Sequence, residues 1–574
     1  MKDFAPGCRC DQSSSRPPPS KDLILNIERR FGTALTVALT GAIIASWTVR
    51  ANAASVVTVA TGNLGVQQYH PPAGAPGENT AEEPSIGSDH STDTNMYLSG
   101  LHTFAVTFDD TVQPAADHWK DVSFATTSQQ SLDPILYTDT NFSRTFVSQL
   151  TGAESLTAFT DNDGTTWTPS QGGGIPSGVD HQSIGAGPYN PAGIPPQSTV
   201  FGDAVFYCSQ DVATAFCARS DDGGLTFATG NPVYTFDQCG GLHGHIRLTP
   251  GGLDMLPNQN CDKQIDPGAG AQQAANGGHF PYQAVVTSND NGTSWVVQTI
   301  PDSHATLRSD PAIAADKAGN LYFAYEDGVT AAGGTTQTGG LAKVAMGTIG
   351  SGGVITWAPS VDIGGVLGIQ NVQFPEIIAG DPGRAALAFL GSTTAGNPED
   401  VSFRGRWDLY LAITTDGGQN WTVTDTTPTN PVQRGCMYLA GNGSCPSSKR
   451  NLLDFMDITV DEDGHAIVGY ADGCVGTCAT GDGSACTSDV SGFPQVCNTG
   501  PAASTAMYAS IARVQCGPSL YAEYDNRYAC PIAGGQLAEV PWVPGMMLVA
   551  GAMLGAPVVG RRRRRARLAG RELV

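Results

Sequence analysis

The sequence predicts an all-β protein whose main part is a single β-propeller of four-stranded antiparallel blades, with seven blades favoured and six as the alternative. Three observations support this fold: a tight-turn phrase recurs about every 60 residues, a second phrase opens seven apolar strands, and helical patterns are almost absent. The 574 residues could hold several domains. A propeller is one large closed unit, however, so length alone overestimates the domain count.

The tight-turn phrase is clearest at Ser220–Phe227, which fits the pattern S-x-D-x-G-x-T-[WF]. We expect Asp222 to accept backbone N–H groups inside a hairpin turn and Gly224 to adopt a positive φ without a steric penalty. Phe227 would start the returning strand and pack under the turn. Three related phrases have their key positions at Asn162, Gly164, Trp167, Ser288, Asp290, Gly292, Trp295, Asp416, Gly418 and Trp421.

The spacing of these phrases indicates a repeat. They start at positions 160, 220, 288 and 414, and the last interval, 126 residues, is about twice the length of the first two, 60 and 68 residues. We infer that one repeat has lost its turn phrase near position 350, where Gly350–Trp357 keeps only the glycines and the tryptophan. Strand-rich repeats of this length are typical of propellers, with one blade per repeat.

The second phrase is an apolar strand opened by an acidic residue and a proline, or by a looser variant. Proline costs little at the first residue of a strand, because no ladder hydrogen bond inside the strand is lost. Alternation and turn residues predict that Ala315–Tyr325 and Val460–Tyr470 continue from such strands as β-hairpins. The seven copies begin at Glu83, Asp133, His181, His243, Asp310, Phe374 and Phe455.

The tight-turn phrases resemble the Asp-box, or BNR, repeats of the sialidase superfamily, over about residues 80–515. The resemblance implies a propeller in which the Asp-boxes are structural turns at the outer edge. Typical members have six blades, which is the reason for the alternative count. For an active sialidase it also implies three arginines that bind the substrate carboxylate, a Tyr–Glu nucleophile pair and an Asp acid/base.

This chain departs from that catalytic pattern. The family's first arginine lies in an Arg-Ile-Pro phrase of the first blade, but here the matching strand carries Glu83-Pro84 and no arginine lies between positions 50 and 144. The catalytic residues therefore stay unassigned. Arg308, Arg434 and Arg450 are the candidates for a rebuilt arginine cluster.

The two ends of the chain suggest export and anchoring. Two arginines precede the apolar run Phe31–Trp47, and Ala51–Ala53 offers a small-residue cleavage site; an uncleaved N-terminal anchor is the alternative. Val540–Gly560 is apolar and Arg561–Arg565 follow at once, as in a membrane span, a bacterial sorting tail, or a buried strand with a basic tail. We therefore divide the chain into a leader with signal peptide (1–53), a lead-in strand (54–82), the propeller (83–515), a Cys-containing spacer (516–539), a transmembrane or sorting segment (540–560) and a basic cytoplasmic tail (561–574).

The cysteines also point to an oxidising compartment. Twelve of the fourteen lie after position 207, an even number in a chain predicted to be exported, which predicts disulfides. Cys474, Cys478, Cys486 and Cys497 share one glycine-rich loop and could pair in three ways. The predicted local pairs are Cys208/Cys217, Cys239/Cys261, Cys436/Cys445 and Cys516/Cys530.

The charge distribution limits the partners. The formal net charge is −23, and without residues 1–53 and 541–574 the remaining 16 basic and 48 acidic residues give −32. Such a surface disfavours nucleic acid and anionic membranes, so the expected membrane contact is the C-terminal segment alone. We expect a monomer that requires no cofactor, although its carboxylates could bind Ca²⁺.

Because the inner strands of a propeller line a central funnel, the starts of the opening phrases are the candidate ligand-binding positions. Acidic groups, imidazoles and arginines there could bind a sugar or a metal, or they could only order the channel by bonding neighbouring blades. Three histidines at neighbouring positions, His181, His243 and His245, could ligate Zn²⁺ or another transition metal. The candidate set is Glu83, Asp133, Asp180, His181, His243, His245, Arg308, Asp310, Glu376, Arg450, Asp454 and Asp457.

The sequence thus favours an exported, surface-tethered Asp-box propeller that binds an extracellular glycan or protein through its central funnel. The alternative is an exo-α-sialidase-like glycoside hydrolase with a rearranged site, in which two funnel carboxylates act as acid and as base or nucleophile. The missing Arg-Ile-Pro phrase favours binding over catalysis.

Overall fold

The computed structural model describes residues 57–525 apart from internal gaps. The described ranges are 57–129, 133–151, 154–170, 175–176, 180–211, 214–235, 237–240, 242–262, 282–306, 308–330, 337–439, 443–475, 477–480 and 506–525. The predicted leader, the apolar segment 540–560 and the basic tail lie outside these residues, as do Cys486, Cys497 and Cys530.

The described chain is almost entirely β-structure. Its helical segments are short: 3-10 turns at Ser351–Gly353, Gly365–Leu367, Ser447–Lys449 and Ala522–Tyr524, and one α-helical turn at Thr477–Thr480. The strands are β1 (Thr58–Thr61), β2 (Gly65–Tyr69), β3 (Ser85–Asp89), β4 (Thr94–Ser99), β5 (His102–Asp109), β6 (Ala116–Asp121), β7 (Pro134–Asp139), β8 (Arg144–Leu150), β9 (Glu154–Thr160), β10 (Thr168–Pro169), β11 (Ile175–Pro176), β12 (Asp180–Pro188), β13 (Asp203–Gln210), β14 (Ala215–Ser220), β15 (Asn231–Pro232), β16 (Arg247–Leu248), β17 (Asp254–Cys261), β18 (Tyr282–Ser288), β19 (Val296–Thr299), β20 (Ala312–Ala315), β21 (Leu321–Thr330), β22 (Gln337–Ile349), β23 (Ile355–Trp357), β24 (Val361–Asp362), β25 (Asn371–Ala379), β26 (Ala385–Ser392), β27 (Arg406–Thr414), β28 (Asn420–Asp425), β29 (Gln433–Arg434), β30 (Asp457–Val460), β31 (Ala466–Asp472) and β32 (Tyr508–Cys516).

These strands form seven sheets, which confirms the seven-bladed propeller and excludes the six-bladed alternative. Blades 1 to 4 are β3–β6, β7–β10, β12–β15 and β16–β19, and β11 adds to β9 of blade 2. Blade 5 is β20–β23 with β24 added to β22, and blade 6 is β25–β28 with β29 added to β27. Consecutive strands within each blade pair antiparallel, as expected for hairpin connections.

The seventh blade closes the ring with a strand from the other end of the chain. Its inner strands are β30, β31 and β32, and β2 pairs antiparallel with β32 as the outermost strand. The preceding strand, β1, adds to blade 6 in parallel with β28. The segment predicted as a lead-in strand to the first blade therefore supplies two strands, which pair with the outer strands of blades 6 and 7. The innermost strands of adjacent blades contact one another around the channel, including β30 with β3.

The core lies between the blades. The fourth residue of every opening phrase is aliphatic and almost fully buried; an example is Ile86, which lies against Gly469 of the neighbouring blade. This placement explains why the phrases are strongly apolar at one fixed position, because each inner strand packs against the next sheet. The other six residues at this position are Leu136, Ile184, Ile246, Ile313, Ile377 and Ile458.

The Asp-box turns connect the third and fourth strands of blades 2, 3, 4 and 6, which are the outer strands. In blade 3, Asp222 Oδ1 accepts the Thr226 N–H at 2.8 Å, and Ser220 Oγ accepts the Gly224 N–H at 2.8 Å. Asn162, Asp290 and Asp416 accept the equivalent N–H groups at 2.8 to 2.9 Å. Four chemically related side chains thus close four turns in the same way.

The box glycines also join neighbouring blades. Gly224 has a φ of 89°, and a Cβ at this position would lie 2.6 Å from Phe146 Cε1 of the preceding blade. Gly292, with a φ of 78°, abuts Phe206 in the same way. Only glycine satisfies both the backbone conformation and the close contact. The aromatic positions serve the same interface, since Trp167 Nε1 donates to the Val122 carbonyl of blade 1 at 2.8 Å. In blade 5 the corresponding turn is the 3-10 segment Ser351–Gly353, where the sequence lacks the box.

Four disulfides are formed among the described residues. Cys208–Cys217, Cys239–Cys261 and Cys436–Cys445 are three of the predicted local pairs. In the glycine-rich loop Cys474 pairs with Cys478, which is one of the three arrangements the sequence left open. The Cys516/Cys530 pair involves a residue outside the described ranges. Four disulfides indicate an extracellular or otherwise oxidising compartment.

No helix within the described ranges is long and apolar enough to cross a membrane.

Candidate ligand site at the channel mouth

Ten of the twelve candidate residues fall into two groups according to their contacts. Seven of them interact electrostatically or by hydrogen bonds, and we call this set the mouth group: Glu83, Asp133, Asp180, His181, Asp310, Arg450 and Asp454. The second set, which we call the channel triad, is His245, Glu376 and Asp457. Together they draw residues from all seven blades, because each opening phrase brings its first residues to the axis.

His181 is the centre of the mouth group. Its backbone N–H donates to Asp133 Oδ2 at 3.1 Å, and its ring nitrogens face two carboxylates: Nε2 is 2.5 Å from Asp310 Oδ2 and Nδ1 is 3.5 Å from Asp180 Oδ1. Although burial opposes the charged form, these carboxylates raise the pKa of His181 well above its ordinary value. His181 therefore carries a positive charge at neutral pH and links blades 2, 3 and 5.

The chain must bend sharply to place these side chains. His181 has a φ of 43°, and a bulge shifts the β12 register between Asp180 and Gln182. Glu83 and Phe374 have φ angles of 49° and 54° at the equivalent phrase position in blades 1 and 6. Left-handed backbone is unfavourable for residues other than glycine, so its use at three phrase starts marks positions that the surrounding structure fixes.

Glu83 and Asp133 are neighbouring acids with different environments. Glu83 is fully buried, its Oε2 has no hydrogen-bond partner among the described residues, and burial together with Asp133 and Asp454 raises its pKa well above the usual value. Burial also raises the pKa of Asp133, to about 6, although the imidazolium of His181 opposes this. Burial thus favours the protonated form of Glu83 more strongly than that of Asp133.

Above these buried acids lies an accessible rim. The side chain of Asp180 is 49% exposed, and those of Arg450 and Asp454 are 35% and 19% exposed. Arg450 Nη2 donates to Asp454 Oδ2, and Arg450 Nη1 donates to the Leu439 carbonyl at 2.9 Å. A ligand that enters the mouth would meet these three side chains first.

The channel triad is buried and combines one imidazole with two carboxylates. One ligand atom from each of His245, Glu376 and Asp457 lies within 4.8 Å of the other two. Both carboxylate oxygens of Asp457 accept backbone N–H groups, from Ile86 at 3.1 Å and from Ile458 at 2.9 Å. The ring of His245 packs edge-to-face on Phe455, with centroids 4.7 Å apart.

Two candidates, His243 and Arg308, belong to neither the mouth group nor the channel triad. His243 packs edge-to-face on His181 with centroids 6.3 Å apart, and burial lowers its pKa to about 4. The three histidines therefore do not form one ligand set, because His245 belongs with Glu376 and Asp457. Arg308 is buried 4.0 Å from Glu326 Oε1 on β21.

The three arginines proposed for a rebuilt cluster have separate partners. Arg434 donates to the Cys478 carbonyl at 2.9 Å, whereas Arg308 faces Glu326 and Arg450 pairs with Asp454. In the described part of the chain, only Arg450 of the three has a contact within the mouth group. The mouth group therefore lacks the three-arginine arrangement of a sialidase.

Sequence reasoning missed the residues that support both groups. Arg247 Nη2 lies 3.4 Å from Asp457 Oδ1, and its guanidinium lies over the Tyr137 ring at 5.6 Å. Gln259 Nε2 donates to Asp310 Oδ1 at 3.2 Å. Arg247 could have been found, since it follows His245 by two residues on an inner strand. Gln259 lies on β17, the second strand of blade 4, and the opening phrases mark only the first strand of each blade.

Comparison with known proteins yields similarity in fold only. No model of a known protein family and no curated protein matches this chain. Among solved structures, a Hadza microbial sialidase is 13% identical over 78% of this chain and 68% of its own, with a TM-score of 0.32. The α-L-arabinanase from Penicillium chrysogenum, complexed with arabinobiose, is 12% identical over 66% of this chain and 90% of its own (TM-score 0.35). The GH74 xyloglucanase from Xanthomonas campestris is 13% identical over 70% and 52% (TM-score 0.37).

None of these likenesses assigns a residue or an activity. The chain's own structure supports the resemblance to the sialidase superfamily at the level of architecture. It has four-stranded blades with Asp-box turns between their outer strands.

Proposed function

We propose that this protein binds a glycan at the mouth of its central channel, and that the mouth group is the binding site. The observation that carries the proposal is the convergence of five carboxyl groups, one imidazolium and one guanidinium at a single mouth, with an accessible rim above a buried layer. Carboxylates accept hydrogen bonds from sugar hydroxyls, and the guanidinium of Arg450 donates to ring and hydroxyl oxygens.

The charge of the mouth group selects the kind of glycan. Even without Glu83, whose pKa burial raises well above its usual value, the carboxyl groups of Asp133, Asp180, Asp310 and Asp454 outnumber the two cations of the group. A site with an excess of negative charge repels the carboxylate of an acidic sugar, because like charges at close range are unfavourable. We therefore expect a neutral sugar or an amino sugar as the ligand, and not a sialic acid.

Export and tethering are part of the same proposal. The disulfides support an oxidising compartment, and the predicted signal peptide and apolar C-terminal segment would place the propeller outside the cell and attached to its surface. A glycan receptor needs that location to meet its ligand.

A glycan array tests the binding proposal. The wild-type protein should capture a set of neutral or amino-sugar glycans, and Asp180→Asn should lower the affinity for them at least about tenfold, the factor expected for one lost charged hydrogen bond. Asp161→Asn is the matched control, since Asp161 is 55% exposed and pairs with Arg144 away from the mouth. Capture of sialylated glycans alone, or equal losses in both variants, would contradict the proposal.

A glycoside hydrolase is the second candidate, favoured by Glu83 and Asp133. A protonated carboxylic acid beside an ionised carboxylate is the pairing that glycosidases use as general acid and as base or nucleophile. A panel of fluorogenic glycosides, sialosides included, would reveal turnover. Glu83→Gln should abolish it, whereas Glu82→Gln at the adjacent position should not. Sialoside turnover that is lost in Arg450→Ala would instead restore the sialidase alternative.

A further inference from the structure

We infer that His245, Glu376 and Asp457 form a binding site for one divalent transition-metal ion inside the central channel. The three residues come from blades 4, 6 and 7, and their sequence positions are 131 and 81 residues apart. Each is the third residue of its opening phrase, so the inner strands carry them to the same depth of the channel. The ion site is separate from the mouth group and does not depend on what binds there.

The donor atoms are placed for a shared ligand. One atom from each residue lies within 4.8 Å of the others, and His245 Nδ1 lies 4.0 Å from Glu376 Oε1. An ion bound at about 2.0–2.2 Å from each ligand requires ligand separations of roughly 3–4 Å. Side-chain movements of about an ångström would meet that requirement without any movement of the backbone.

His245 supplies an independent indication. Its Nδ1 is buried and has no hydrogen-bond partner among the described residues. A buried polar nitrogen without a partner is costly, and native proteins rarely tolerate one without a reason. The edge-to-face contact with Phe455 holds the ring in place.

The carboxyl groups of the triad also suit a cation. Arg247 lies 3.4 Å from Asp457, while the nearby Asp310 is already paired with His181. The two triad carboxyl groups therefore share one guanidinium, and a divalent ion would bind both of them in their deprotonated form. The backbone N–H groups of Ile86 and Ile458 orient the Asp457 carboxylate, as outer partners commonly do for metal ligands.

The ligand types select the ion. An imidazole nitrogen with two carboxylates suits Zn²⁺, Mn²⁺ or Co²⁺, whereas Ca²⁺ and Mg²⁺ prefer all-oxygen sites. Three protein ligands also leave at least one coordination position open. The proposed site differs from a three-histidine site, since His181 is engaged by Asp180 and Asp310.

Metal content of the full-length protein tests this inference. The chelator-treated protein would be loaded with Zn²⁺, desalted and analysed for metal. We expect one equivalent per chain, and a higher melting temperature with Zn²⁺ or Mn²⁺ but not with Ca²⁺ at equal concentration. Glu376→Gln should weaken Zn²⁺ binding at least about tenfold and abolish the thermal shift. His243→Gln, two residues from His245, is the control that should keep both.

A second measurement separates ligand loss from misfolding. Without metal, Glu376→Gln should melt close to the temperature of the metal-free wild type, because the glutamine amide has nearly the size and shape of the carboxyl group that it replaces. Bound Co²⁺ should give visible absorption bands in the wild type that Asp457→Asn changes and His243→Gln leaves alone. Absence of a stoichiometric ion in the wild type would overturn the inference. Loss of the ion in His243→Gln with retention in Glu376→Gln would also overturn it, in favour of the histidine set.

Discussion

Asp222 and Thr226 close the Asp-box turn of blade 3 through two hydrogen bonds. Asp222 Oδ1 accepts the Thr226 N–H at 2.8 Å, and Asp222 Oδ2 accepts the Thr226 hydroxyl at 2.6 Å. Burial alone would raise the pKa of Asp222, but the bonds from Thr226 and Ser220 lower it below the ordinary value. This carboxylate is therefore committed to the turn.

Asp222→Ala should destabilise the propeller without affecting ligands of the channel. We expect a loss of about 1 kcal/mol in the free energy of unfolding, because the released N–H is exposed and can bond to water. Denaturant unfolding measures the loss of stability, and the affinity for the glycan selected on the array shows whether the binding site is intact. A variant of normal stability that no longer bound the glycan would place the site at the turn instead.

Arg513 joins blade 7 to blade 1, and its removal should cost much more. It forms two hydrogen bonds to Asp110, at 2.6 and 2.9 Å, and also bonds the buried Asp461. Arg513→Met leaves Asp461 without this partner, so we expect a loss of about 3–5 kcal/mol in denaturant unfolding. Arg384→Met is the control, since the Arg384–Asp525 pair is more exposed and should cost about 1 kcal/mol or less. Equal losses in the two variants would show that the burial of an ion pair does not determine its contribution to the free energy of unfolding.

Asp139 should make the protein less stable as the pH rises. Burial, with Asp203 adding, raises its pKa to about 7, above the value of about 3.9 in an unfolded chain. Its stabilising contribution is therefore complete below about pH 4 and is lost as the pH rises through 7, by at most about 1.4 kcal/mol per pH unit. Asp139→Asn cannot ionise, so it should gain stability relative to the wild type at pH 8, gain less at pH 5 and gain little below pH 4. Identical pH dependence of the two proteins, by denaturant unfolding, would contradict this assignment.

Peptide mapping under non-reducing conditions should recover all the local disulfides. The pairing of Cys474 with Cys478 leaves Cys486 to pair with Cys497, and we expect Cys516 to pair with Cys530. Free thiols at Cys208 and Cys217 would refute the oxidising compartment, because these two cysteines lie directly opposite each other on paired strands.

A chain ending before Val540 should be released from the membrane as a folded propeller. Blade 7 is completed by β2 and β32, neither of which needs residues beyond Cys516. Near-ultraviolet circular dichroism of the secreted fragment tests folding, and cell fractionation tests release. Retention in the membrane would identify the N-terminal apolar run as the anchor, and failure to fold would assign the tail to the last blade.

The repeats determined how much of the fold could be predicted. Turn phrases with Asp and Gly at fixed offsets, and opening phrases with an aliphatic fourth residue, are local patterns, so they located the blades and their order. The pairing of β2 with β32 joins residues more than 400 positions apart and has no local signal. The channel triad was also beyond prediction as a unit, because a bulge between Gln373 and Glu376 changes which side chains face the axis. The sequence indicated the acids and histidines, but not which of them meet.

The pairing of the N-terminal strands has a consequence for how the molecule acquires its structure. Strands β1 and β2 are synthesised first, yet their partners β28 and β32 follow roughly 360 and 440 residues later. Until then β1 and β2 carry unpaired backbone groups, which are prone to pair with other chains. Closure of the ring therefore waits for nearly complete synthesis, and such long-range contacts form slowly. The growing chain would depend on chaperones or on immediate transport to stay free of aggregation during this interval.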